Sequence, residues 1–179
     1  MKYFTVMINY MIFRIKKLFI KGEFYHQFWI NIHPSVIIQT NKTSKIVFGK
    51  NIIFERYGNI DVLSKGYLKI GDKCYFNKNV TISCKERIII GNNCLFGPDV
   101  KIYDNDHKFK RDKGVSYEHS TKGITIGSNC WIASNVVILK GTQIGDNCVI
   151  GAGCIVSGVI PPNSIVKKKY DLEISEVRE

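Results

Sequence analysis

Apolar residues recur at every sixth position from Ile126 to Val156: Ile126, Ile132, Ile138, Ile144, Ile150 and Val156. A period of six matches neither the helical repeat nor the two-residue alternation of an ordinary half-buried strand. The same spacing appears earlier, at Ile70, Phe76 and Ile82 and at Ile90, Phe96 and Ile102. Corners rich in Gly, Asn and Asp separate these residues, as in Ile70-Gly71-Asp72 and Ile126-Gly127-Ser128-Asn129. Repetition at a short fixed period marks a solenoid. A strand rises about 3.3 Å per residue, so one hexad supplies a short strand and a corner. Three hexads then trace one triangular coil. Stacked coils bury the sixth-position residues and pair as parallel β-structure, leaving edges open only at the ends.

The pattern also divides the chain. Residues 1–22 carry a helical stripe of Phe4, Ile8, Met11, Ile15 and Leu18, with Met7, Ile12 and Phe19 beside it. Arg14, Lys16, Lys17 and Lys21 add positive charge near one end. Such a helix suits peripheral contact with an anionic membrane, or packing on its own domain or a neighbouring subunit. Residues 1–45 are therefore read as an N-terminal amphipathic or interface segment and 46–166 as the solenoid. Residues 167–179, "KKKYDLEISEVRE", form a charged tail, helical or frayed. Inside the solenoid, residues 103–123 ("YDNDHKFKRDKGVSYEHSTKG") are polar and aperiodic. A loop that long within a regular array points to function.

Charge narrows the partners. The 179 residues carry a formal net charge of +11, which favours nucleic acid, anionic lipid or a phosphorylated small molecule. No helix-turn-helix, zinc-finger or RRM-like signature is present, so nucleic acid is not expected. The six cysteines read as packing residues. Cys74, Cys94, Cys130, Cys148 and Cys154 each follow a hexad aliphatic by four residues, a slot for a small apolar side chain. No C-x-x-C pair occurs, and neither a disulfide nor a metal is expected. Free thiols suit a reducing compartment, hence the cytoplasm, and the basic N-terminal stripe adds an expected peripheral contact with the inner face of its membrane. Arg14, Lys16 and Lys17 interrupt the N-terminal apolar run, which excludes a signal-peptide reading. No stretch reaches the roughly 18 apolar residues needed to span a bilayer.

The segment "ITIGSNCWIASNVVILKGTQIGDNCVIGAGCIVSGVIPPNSIV" resembles the hexapeptide-repeat acyltransferases, and the resemblance covers about residues 70–166. The nearest type is the sugar, capsule and lipopolysaccharide O-acetyltransferases. The resemblance implies an all-β solenoid, specifically a left-handed parallel β-helix with a looped-out insertion. It implies a homotrimer that uses acetyl-CoA and a saccharide acceptor, with sites between subunits. The histidine of the loop, here His107 in "YDNDHKF", is the implied general base. A base titrating near neutrality can take the proton of a hydroxyl as it attacks a thioester. His119, in the same loop, ranks second, and Asp104 and Asp106 stand beside His107.

Acceptor contacts map onto Asn77, Asp106 and Trp131. Acyl-CoA contacts map onto Ser134, Ala152, Ser157, Gly158 and Lys167. Three departures stand out. Lys85 occupies an acidic position of the family, Ser157-Gly158 replaces Thr-Lys, and the Gly-x-Pro-Ala segment after the last coil is absent. Two competing readings keep the fold: a sugar N-acetyltransferase and a non-catalytic scaffold. A third, a zinc enzyme resembling γ-class carbonic anhydrases, needs three clustered histidines. The four present are His26, His33, His107 and His119, and they are scattered.

Overall fold

The computed structural model describes residues 2–27 and 29–169. Helix α1 (Lys2–Lys17) leads into a solenoid of short parallel strands in three sheets. Face A holds seven strands, from Glu23–His26 to Val159–Ile160. Face B also holds seven, from Ile30–Ile32 to Ile165–Val166. Face C holds six, from Ile37–Thr40 to Ile155–Val156. A two-stranded antiparallel hairpin, Asn105–Lys110 with Gly114–Thr121, loops out between faces C and A. This is the looped β-solenoid that the hexads imply.

The hexad residues stack in columns. On face A, Ile90 pairs with Ile126, Ile126 with Ile144, and Ile144 with Ile160. Phe96, Ile132 and Ile150 do the same on face B, and Ile102, Ile138 and Val156 on face C. All of them point inward and are buried. The wide end is filled by aromatic rings, with Phe54 over Phe76 at 4.1 Å and Phe76 over Phe96 at 4.5 Å. The cysteines are free and buried. The Cys74, Cys94, Cys130 and Cys148 thiols face carbonyls of the following coil at 3.1–3.2 Å. The slot thus suits a small side chain with a weak donor.

One corner is held by an asparagine ladder. Asn93, Asn129, Asn147 and Asn163 all have positive φ, a conformation that Asn tolerates better than most residues. Their side-chain amides link successive coils at 3.1–3.2 Å.

The coils begin at Glu23, ahead of the boundary at 46 read from the sequence. Three strands before that boundary already belong to the three sheets. The reason is coil length. Glu23 pairs with Lys45 and Lys45 with Tyr67, a repeat of 22 residues. Thr125 pairs with Gln143, a repeat of 18. Early strands such as Lys45–Phe48 have four residues and late ones such as Gln143–Ile144 have two. The longer strands erase the period of six while keeping the in–out alternation.

Helix α1 covers the first coil. Phe13 is 1% exposed and meets the Phe24 and His26 rings at 5.4 and 5.6 Å. Asn9 Nδ2 donates to Asn31 Oδ1 at 3.0 Å. Lys16 Nζ donates to the carbonyls of Pro34 and Val36. The helix ends at Lys17, short of the expected residue 22; Leu18, Phe19 and Ile20 continue with tighter bonds to the third residue back. The expected stripe of Phe4, Ile8, Met11 and Ile15 faces away from the solenoid. Of the expected charged tail, Lys167–Lys169 follow the last strand without regular structure, and residues 170–179 lie outside the described residues.

Candidate active site

The loop with the two histidines is a braced hairpin. Its base is Asp104, which is 0% exposed. One Asp104 carboxylate oxygen accepts from the Lys85 backbone N–H at 2.8 Å. The other accepts from the N–H groups of Glu86 and Arg87 at 2.8 and 2.9 Å. The Asn105 amide adds a bond to Asp104 at 3.0 Å and reaches Ser83 Oγ at 3.0 Å. A buried carboxylate needs such donors to be tolerated. The return strand is tied down as well: Lys122 N–H donates to Asp104 O and Gly141 N–H to Lys122 O. Below it, Lys140 Nζ binds Asp106 at 2.9 Å and Ser120 Oγ at 3.0 Å.

His107 and His119 face each other across this hairpin in register. Their ring centroids are 4.4 Å apart, tilted by 39°. His107 Nδ1 lies 3.1 Å from the Ser116 carbonyl oxygen. A carbonyl only accepts, so in the neutral ring Nδ1 carries the proton and Nε2 keeps its lone pair. His107 is exposed. His119 is half-buried, and its Nδ1 has no protein partner. Burial holds its pKa below the ordinary histidine value, and the charges of Lys85 and His107 act in the same direction. Its neutral form is thereby favoured. Lys85, the departure noted in the sequence, thus stands close enough to act on His119.

The thiol nearest the hairpin base is a poor nucleophile. Burial pushes Cys84 well above the ordinary thiol range, and the nearby Asp104 carboxylate adds to the effect. Among the described residues no group of three or more His, Cys, Asp or Glu side chains is placed to hold a metal ion.

The remaining candidate residues fall on two edges of the prism. Ser157 and Gly158 follow the last face C strand and share the C–A edge with the hairpin. Gly158 has φ +79°, a conformation that favours glycine, and its carbonyl accepts from Gln143 N–H. Asn77, Ser134 and Ala152 lie on the B–C edge, where Gly153 N–H donates to Ser134 O. Asn77 Oδ1 caps its own corner through the Lys78 N–H at 2.8 Å. Lys167 and Lys168 border a groove of about 270 Å³ with Gly153, Cys154 and Ile155, next to that edge. Trp131 projects from face B and is half exposed. One chain thus brings His107, Asp106, Ser157 and Gly158 to one edge. It carries Asn77, Ser134, Ala152 and Lys167 along another.

Two supporting roles escaped the sequence reading: Asp104 as anchor and Lys140 as brace. Asp104 had a readable signal. It follows Ile102 at an inward position that earlier coils fill with Val62 and Cys84. A carboxylate in an apolar column needs several donors, and it finds them in the adjoining corner.

The family model described as bacterial transferase hexapeptide (six repeats) matches residues 123–158. The chain is 36% identical over 141 residues to a galactoside O-acetyltransferase of Escherichia coli K12, covering 74% of this chain and 66% of that protein, just under two thirds of its length. It is 30% identical over 144 residues to the putative lipopolysaccharide biosynthesis O-acetyl transferase WbbJ of the same strain, covering 72% of this chain and 74% of that one. Its fold is like that of a hexapeptide-repeat acetyltransferase from Vibrio cholerae O1 biovar eltor, solved with acetyl coenzyme A. There the TM-score is 0.57 at 24% identity, covering 86% of this chain and 69% of the other.

Proposed function

The chain belongs to the hexapeptide-repeat acetyltransferases, and from that membership we propose that it transfers acetyl from acetyl-CoA to a saccharide hydroxyl, with His107 as general base. The observation that carries this reading is the braced hairpin. It holds one imidazole by Nδ1 and leaves Nε2 free on an exposed surface. The hydroxyl oxygen attacks the thioester carbonyl as Nε2 accepts its proton. The tetrahedral intermediate collapses with loss of the CoA thiolate, which takes the proton back from the imidazolium. The products are an acetyl ester and free CoA, with no acyl-enzyme. The two relatives named for O-acetyl transfer support a hydroxyl acceptor.

On this reading the small residues Ser134 and Ala152 let pantetheine lie against the B–C edge, with Lys167 near a CoA phosphate. His107 stands on the other edge, so the site is completed between chains, and the assembly is a homotrimer. Face B supports such an assembly. Its outward positions Ile53, Tyr75, Leu95, Trp131, Val149 and Ile165 run in register as an apolar column. Leu95, Trp131 and Ile165 are 51%, 52% and 64% exposed in one chain. Contiguous apolar surface of this kind marks an interface. The double variant Leu95→Glu/Trp131→Glu is expected to sediment as a folded monomer with little activity. A trimeric, fully active double variant would move the interface elsewhere. Offering the hydroxy and amino forms of one sugar tests the acceptor chemistry: transfer to the amine alone would replace the O-acetyl reading.

A further inference from the structure

The apolar stripe on α1 could meet its own domain, another subunit or a membrane, and the structure removes the first. The solenoid takes the opposite face, through Asn9, Phe13 and the half-buried Tyr10. Phe4, Met7, Ile8, Met11 and Ile15 point outward and are 40–63% exposed, and Leu18 and Phe19 extend the patch at about 80%. The helix therefore packs through one mixed face and leaves an apolar face outward.

We propose that the outward face of α1 lies in the surface of an anionic lipid bilayer, with the solenoid attached to its inner face. Charge selects this occupant. Residues 1–22 hold five Lys and Arg residues and no Asp or Glu. The first acid, Glu23, is already paired with Lys45 at 3.0 Å. Lys16 and Lys17 are partly engaged, by carbonyls and by the Phe24 ring, whereas the Arg14 and Lys21 side chains are exposed on the flanks. An isologous contact with a second copy would set cations against cations, which is unfavourable. An anionic lipid surface accepts both the apolar face and the flanking cations. None of the described helices is long and apolar enough to cross a membrane, so α1 lies in the plane of the surface.

The test is co-sedimentation of the full chain with phosphatidylcholine vesicles, with and without phosphatidylglycerol. Wild type is expected to bind the anionic vesicles at least about tenfold better, and less well as salt rises. Arg14→Gln/Lys21→Gln should lose about fivefold per cation. Met7→Glu/Met11→Glu/Ile15→Glu should lose binding by at least about tenfold, with melting temperature and oligomeric state unchanged. Three results would overturn the proposal: no binding by wild type, equal binding by the triple variant, or a triple variant whose oligomeric state changes. The last would show that another copy covers this face. None of these readouts depends on acetyl transfer.

Discussion

His107→Ala is expected to lower kcat by about 10²–10⁴-fold, with the fold and acetyl-CoA binding retained. The size follows from the role proposed for it. A sugar hydroxyl is a weak nucleophile, and without a base its proton must leave to water during the attack. The fold survives because the His107 ring is exposed and makes one hydrogen bond, to the Ser116 carbonyl. His119 does not replace it. It is half-buried, its pKa is lowered first by that burial, and it sits on the return strand of the hairpin. His119→Ala is expected to cost much less. Steady-state rates of both variants, with a binding measurement for acetyl-CoA, check this. A His107→Ala enzyme with near wild-type kcat would move the base elsewhere.

Asp104→Ala is expected to be the most damaging change outside the reacting groups. It deletes a carboxylate that holds three backbone N–H groups and the Asn105 amide. Stranding such donors costs about 2–4 kcal/mol. For a chain of this size that is a fall in melting temperature of about 5–15 °C. Activity should fall too, because the residue fixes where the hairpin leaves the solenoid. Asp104→Asn keeps one acceptor and should recover only part of both losses, since its NH₂ faces backbone donors. A calorimetric scan and the rate of each variant decide the matter. An Asp104→Ala protein with unchanged melting temperature would show that the hairpin does not depend on this anchor.

The solenoid was readable where its coils are shortest. From Ile126 to Val156 each hexad is one strand and one corner, so the period appears directly in the sequence. The first coils share the architecture but repeat every 22 residues, and there the spacing conceals it. The N-terminal helix was visible as an apolar stripe, yet the stripe marks its outward face. The packed face mixes Asn9, Tyr10 and Phe13, and no periodicity rule selects it over the other.

The candidate site was legible in part for a similar reason. His107 stands out because a long aperiodic segment interrupts a regular array. Its brace does not, because Lys140 is distant in sequence and arrives only when two coils stack. Residues mapped to one acyl-CoA site divide between two edges of a single chain. A spacing pattern records neither the edge a corner occupies nor the chain that faces it.

Acetyl transfer to a saccharide hydroxyl is tested most directly by mass spectrometry of the acceptor. Wild-type enzyme is incubated with acetyl-CoA and a panel of free, polymeric and lipid-linked saccharides. The expected result is an acceptor that gains one acetyl group on oxygen, only when both enzyme and acetyl-CoA are present. A panel left unmodified by an enzyme that does not bind acetyl-CoA would contradict it and leave the solenoid as a scaffold.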